Sequence, residues 1–240
     1  MKIAVYTANF NQKDILKSPL NYVKDEVDYY AFVDDYDLDI VSPYTSIFTD
    51  LKLDDITKNA RKLKILGHKI LNDYDITIWH DSNIQLDAKR LKELINVSVL
   101  NKTFVTTFRH PHRDDFYSEA MACVRVSKDN HFKILKQVLY SFYNGVPAHD
   151  GLYSSGIFIK NNQYLNENFL SLWWKTTLRF SRRDQLSLAY TIYKTKQTIG
   201  IIKGDIFKNK YSVYNNHRHQ SYVIRNQDKT SNRLKIVSFY

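Results

Sequence analysis

The chain of 240 residues has one cysteine, four prolines and six glycines. A single thiol, Cys123, excludes an intrachain disulfide and points to a reducing compartment. It lies in the apolar helical stretch AMACVRV, which suits a small packing residue better than a nucleophile. So little glycine and proline excludes a collagen-like chain and argues against disorder. No apolar run approaches the length of a membrane span. The opening MKIAVYTANFN has too short an apolar run for a secretory signal. A cytoplasmic location is expected. Zinc-finger spacing and an aromatic-rich strand of the RNA-reading type are also missing, so nucleic acid is not the expected partner.

What is plentiful is positive charge and tyrosine. Lys and Arg number 35 against 25 Asp and Glu, a net charge of +10, and there are 18 Tyr and 13 Phe. The charge favours an anionic partner: a phosphorylated substrate, or peripheral contact with an anionic membrane. It concentrates at Lys58 to Lys69 and from His217 onward. No repeat or low-complexity linker divides the chain, so a single domain over 1–240 is expected, with 205–240 a polar, irregular C-terminal segment.

Short apolar runs alternate with helical patterns. Ile3 to Tyr6, YYAFV (29–33), Ile76 to Trp79, TFVTTF (103–108), GIFI (156–159) and Thr198 to Ile202 read as strands. Helices are expected over 56–71, from Asp87, near 115–124, over 129–143 with Phe132, Leu135, Leu139 and Phe142 in one stripe, and over 166–180 and 184–195. Alternation of this kind predicts an α/β fold with a mostly parallel sheet. Ligands in such folds bind beyond the carboxyl ends of the strands. Thr7 and Asn9, Asp34 and Asp35, and Asp81 and Asn83 follow three successive strands, so all should gather on one rim.

Asp81-Ser82-Asn83 places two oxygen-bearing side chains at alternate positions of an extended segment. That spacing suits a hard divalent cation such as Mn²⁺ or Mg²⁺, or a plain strand-to-turn cap. Arg61, Lys64 and His68 share a stripe beside the apolar face of the helix at 56–71, where they would grip a diphosphate or form a solvated basic face. In RHPHRDDFYSE (109–119), His110, His112, Arg113 and Glu119 suit a polar loop that shapes the site and holds an acceptor, or a surface loop with local ion pairs; the pattern is not a zinc motif. Asp184 and Gln185 open a helix, where an Asp is also a natural cap. His217 and His219 lie in the polar tail.

TIWHDSN, HPHRDDFYSEA and RRDQLSLAY occur in that order, with KNARKLKILGHKIL ahead of them. Together they resemble a glycosyltransferase-like family with plant mucilage-related and bacterial surface-polysaccharide members, over about residues 1–200. The family is similar to GT-A nucleotide-sugar transferases of the glycogenin and lipopolysaccharide-galactosyltransferase group. The resemblance implies a GT-A-like fold and a hexosyltransferase-type enzyme using a UDP-sugar with Mn²⁺ or Mg²⁺. It places Asp81, Asn83 and His217 or His219 at the metal. Arg61 and Lys64 would hold the donor, with Ser155 and Gly156 as a small turn beside the donor sugar. Asp184 and Gln185 would sit near the reacting carbon. On the transferase reading, Thr7, Asn9 and Asp34 or Asp35 would hold uridine and ribose. The acceptor is expected to be a saccharide or lipid-linked glycan, and a mechanism like that of the group would retain the anomeric configuration. The triplet ends in Asn83 where the group has Asp, which removes one charge. Two competing readings use the same features: a non-catalytic basic module for nucleic acid or anionic membrane, and a sugar nucleotidyltransferase.

Overall fold

A computed structural model of the chain describes residues 1–24 and 26–215. Its central sheet has seven strands: β1 (Ile3–Ala8), β2 (Val27–Val33), β3 (Thr45–Phe48), β4 (Ile76–His80), β6 (Val105–Arg109), β7 (Tyr153–Asn161) and β8 (Ile199–Ile202). They lie in the order β3-β2-β1-β4-β7-β6-β8. All are parallel except β7, which runs against both β4 and β6. The sheet is therefore mostly parallel, as the alternating pattern predicts. Because β7 is reversed, its first residues meet the last residues of β4 and β6 on one rim. A second sheet pairs β5 (Ile84–Leu86) with β9 (Ser212–Tyr214).

Burial explains the order. All five residues of β4, ITIWH, are buried, as a central strand covered on both faces requires. Edge strand β3 is half exposed. On one face Val5, Ile76, Ile78 and Ile159 pack with Leu91, Leu94 and Ile95 of α2 (Leu91–Asn101). On the other, Tyr6, Trp79 and Phe158 pack with three helices. These are α1 (Ile56–Leu66), α5 (Glu167–Arg179) and α6 (Asp184–Thr195), contributing Leu63 and Ile65, Phe169 and Trp173, and Leu188. The alternation along β1 and β4 is the two-residue period of a strand. A third cluster joins α3 (Phe116–Arg125), α4 (His131–Tyr143) and α6 through Phe116, Ala120, Cys123, Ile134 and Leu186. Cys123 is thus a buried packing residue.

Helix α1 is shorter than the pattern predicts. Asp55 caps it by accepting from the Lys58 N–H, and Gly67, at φ +80°, ends it. The 3₁₀ turn Lys69–Leu71 follows. His68 is thereby taken off the Arg61–Lys64 stripe; its Nδ1 accepts from the Ile70 N–H. The helix is fastened at both ends. Lys58 Nζ donates to the Leu178 and Phe180 carbonyls at the C-terminal end of α5. The buried Lys160 Nζ donates to the Ile65 carbonyl, and the Tyr6 hydroxyl to that of Lys64.

Three short strands, β3, β5 and β9, are not apparent in the apolar pattern. β9 corrects the expectation that everything from residue 205 is irregular: Ser212–Tyr214 turns back to pair with Ile84–Leu86. Ser155 and Gly156 lie within strand β7 and not in a turn, beside the register shift that separates Thr107 from Phe108. In α4 the stripe Phe132, Leu135, Leu139, Phe142 faces solvent, while Ile134, Gln137 and Ser141 face inward.

Candidate active site

Four charged side chains meet at the rim where β4 ends, β7 begins and α6 starts. Asp81 follows β4, and its backbone N–H donates to the Gly156 carbonyl of β7 at 2.8 Å. Arg61 and Lys64, one turn apart on α1, both point at it. Arg61 Nη1 lies 3.2 Å from Asp81 Oδ1, and its Nε lies 3.0 Å from Asp184 Oδ1. Lys64 Nζ lies 2.7 Å from Asp184 Oδ2 and 3.8 Å from Asp81 Oδ1. The cluster holds two cations and two anions. Asp184 and Lys64 are buried; Arg61 is mostly so, and Asp81 is 31% exposed. The cluster therefore opens to solvent chiefly through Asp81.

The environment fixes the protonation states. Burial alone would raise the carboxyl of Asp184, but the Arg61 and Lys64 cations hold it well below the usual carboxylate range. Asp81 is lowered likewise: burial works against its charge, and Lys64 and Arg61 outweigh it. Burial pulls Lys64 below its ordinary value against the opposing pull of Asp184 and Asp81. The Ser155 hydroxyl donates to Asp184 Oδ2 at 2.8 Å, and Trp79 Nε1 to Asp81 Oδ1 at 2.9 Å. A Cβ added at Gly156 would lie 2.9 Å from Ile84 Cδ1 and 3.7 Å from Asp81 Oδ2, so a bare backbone keeps this corner open.

The loop after β1 forms the neighbouring wall. Asn9 closes it by exchanging hydrogen bonds with the backbone of Asp14. Asp34, beyond β2, accepts from the Asn11 N–H at 2.9 and 3.0 Å, and Asp35 accepts from the Asp37 N–H. Asn9 and Asp34 thus shape the loop with their side chains. Thr7 is buried, and its hydroxyl has no hydrogen-bond partner among the described residues. This loop carries Lys13, whose ammonium is held below its usual range by enclosure in the cleft and by Arg61. Asp14 accepts from the Ser82 hydroxyl. Lys13, Asp14 and Ser82 were not singled out by the sequence pattern. The signal for them was available: all three lie within a few residues of a strand end on the same rim.

Next to Asp184 at the start of α6, Gln185 Nε2 donates to the Tyr153 carbonyl, and its Oε1 accepts from Arg183 Nη2 at 2.9 Å. Arg113 Nη1 donates to Glu119 Oε2 at 2.8 Å, with His110 Nε2 at 3.7 Å from the same oxygen and Arg183 4.0 Å from the other. Burial lowers His110 despite Glu119. His112 stacks on Phe207 at 6.3 Å between ring centres. The structure thus brings Arg61, Lys64, Asp81, Ser155, Gly156 and Asp184 into direct contact or adjacency. Arg113, His110 and Glu119 form a second cluster, linked to the first through Arg183.

Asn83 is buried, and its Nδ2 donates to the Asn215 carbonyl. His217 and His219 lie outside the described residues. Among the described residues, no group of three or more His, Cys, Asp or Glu is placed to hold a metal ion. Asp81 is the partly exposed carboxylate of the four-charge cluster, and its Oδ1 is already engaged by Arg61 and Trp79. The described residues alone therefore fall short of a coordination set for Mn²⁺ or Mg²⁺.

A family model described as the TOD1/MUCI70 glycosyltransferase-like domain matches residues 1–219. No curated protein matches the chain. Among solved structures, apo mouse xyloside xylosyltransferase 1 is similar over 84% of each chain, at 11% identity and a TM-score of 0.47. With its match spanning most of the sequence, the chain belongs to the TOD1/MUCI70 glycosyltransferase-like domain family.

Proposed function

We propose that the protein transfers a hexose from a nucleoside-diphosphate donor of the UDP type to a saccharide or lipid-linked glycan, on a GT-A-like domain spanning the whole chain. The observation that carries this reading is the position of Arg61, held between Asp81 and Asp184 at a strand-end rim. In such a transfer the bond from the anomeric carbon to the diphosphate breaks, and the acceptor oxygen takes its place. Negative charge builds on the leaving diphosphate. A fixed guanidinium in a partly water-excluded site stabilises that charge without having to reorganise. Lys13 adds a second cation at the lip.

Asp184 has both oxygens engaged by Arg61, Lys64 and Ser155. Its role here is to fix Arg61. On this reading Gln185, half-buried beside it, turns its amide from Tyr153 and Arg183 to the transferred sugar. Thr7, Asn9, Asp34 and Asp35 support the nucleoside wall, and His110, His112, Arg113 and Glu119 the acceptor side. A divalent ion, when bound, would lie at Asp81 and Asn83 and add positive charge at the diphosphate.

Calorimetric titration of UDP, with and without Mn²⁺, tests the reading on the wild type and on Asp81→Ala. Metal-dependent UDP binding that weakens at least tenfold in a folded Asp81→Ala variant is expected. A folded wild type that binds no nucleoside diphosphate would overturn the proposal. Turnover of a nucleoside triphosphate with pyrophosphate release would reassign the rim to nucleotidyl transfer.

A further inference from the structure

Helix α4 is inverted relative to an ordinary amphipathic helix. Its buried positions include Gln137 and Ser141, both 0% exposed. Gln137 is there for its hydrogen bonds: it donates to the Ser187 hydroxyl of α6 and accepts from the Ser181 N–H. Apart from Ile134 and the partly buried Val138, the large apolar side chains are outside. Phe132 is 83% exposed, Leu139 57% and Phe142 66%, and Leu135 is exposed with them. These four stand at i, i+3, i+7 and i+10, one continuous stripe along the helix. Tyr143 extends it, with its ring against Phe142. On the adjoining α3, Met121 and the following Val126 are exposed as well.

Charge surrounds this patch asymmetrically. Between residues 121 and 143 the sequence has Arg125, Lys128, Lys133 and Lys136, all exposed, and a single acid, Asp129. Asp129 is already engaged by the Ser181 hydroxyl and the Arg182 N–H. An apolar stripe bordered by lysines is the arrangement of a helix that lies in a bilayer interface, with its rings among the acyl chains and its cations at the headgroups. A second copy meeting this face about a two-fold axis would bring like charges together, on a chain whose net charge is +10. No described helix is long and apolar enough to cross a membrane, so the contact is with the surface.

We propose that the exposed face of the α3–α4 hairpin docks on an anionic lipid bilayer, with Phe132, Leu135, Leu139 and Phe142 inserted and Lys133 and Lys136 at the headgroups. The inference does not depend on the transfer reading. If both hold, the inner side of α4 links the bilayer to α6, the helix that begins with Asp184, so the site is presented to an acceptor anchored in lipid.

Co-sedimentation of the full chain with large vesicles tests it. Expected is binding to phosphatidylcholine vesicles containing phosphatidylglycerol, much weaker binding to pure phosphatidylcholine, and a loss of at least tenfold in partitioning for Phe132→Ser/Phe142→Ser. Lys133→Gln/Lys136→Gln should weaken binding less and reduce its salt dependence. Both pairs are solvent-exposed, so melting temperature should hold, which a thermal scan checks. UDP titration of the same variants reports separately on the transfer site. The proposal fails if the wild type stays in the supernatant with phosphatidylglycerol vesicles, or if binding is indifferent to Phe132→Ser/Phe142→Ser. It also fails if sedimentation velocity shows instead a dimer that the same substitutions dissociate.

Discussion

Asn83 and Asn215 hydrogen-bond to each other in both directions. The Asn215 N–H donates to the Asn83 carbonyl at 2.8 Å, and Asn83 Nδ2 donates to the Asn215 carbonyl at 3.0 Å. This clasp explains why the third position of the rim triplet is an amide. A carboxylate there has no N–H to give, and its oxygen would face a carbonyl oxygen. Asn83→Asp is therefore expected to lower stability by about 1–3 kcal/mol, the cost of a buried unsatisfied charged acceptor. Urea denaturation at neutral pH measures it. Unchanged stability would mean the side-chain half of the clasp contributes nothing.

The Lys64–Asp184 contact, 2.7 Å and buried on both sides, sets a second expectation. Lys64→Met leaves two carboxylates facing one guanidinium, and breaking such a pair costs about 3–5 kcal/mol. The double variant Lys64→Met/Asp184→Asn removes both charges and should recover part of that loss. A double-mutant cycle in urea gives the coupling. Strict additivity would show that the two groups do not depend on each other.

Lys160 provides a pH signature. Burial, aided by Lys64, pulls its amine down from 10.5 to about 7. A base with a depressed pKa in the fold binds fewer protons there than in the unfolded chain, so stability rises with pH between the two values. Between pH 7 and 9.5 this group contributes a gain of about 3 kcal/mol. Chemical denaturation across that range should show the rise in the wild type and a flatter profile in Lys160→Met. Parallel profiles would mean the amine stays charged in the fold.

Much of this architecture can be read from the chain, and the exceptions have physical reasons. The run ITIWH announces a strand buried on both faces, and the change to Asp81 marks its rim. Arg61 and Lys64 share a stripe by simple helical spacing, but spacing cannot say that Lys64 ends inside the protein; that follows from Asp184, more than a hundred residues later. His68 shares the same stripe on paper and is lost because Gly67 ends the helix before it. Strands of three or four residues, such as Ser212–Tyr214, are too short to carry a period and are fixed only by their partners. The stripe on α4 shows the opposite limit. Periodicity finds an apolar face reliably, yet it does not reveal whether that face looks into the protein or out of it.

The fastening of α1 has a consequence for when the site comes into being during synthesis. The cations of Arg61 and Lys64 leave the ribosome before most of the contacts that lock their helix, which come from Lys160 and from the carbonyls of Leu178 and Phe180. Their counter-charge Asp184 emerges later still. A nascent chain that has reached only the end of β6 contains the two cations and Asp81 but lacks both Asp184 and the strand β7 that stands between β4 and β6. The charge-balanced rim exists only once Asp184 has been made, so shorter chains have no preformed copy of it to expose.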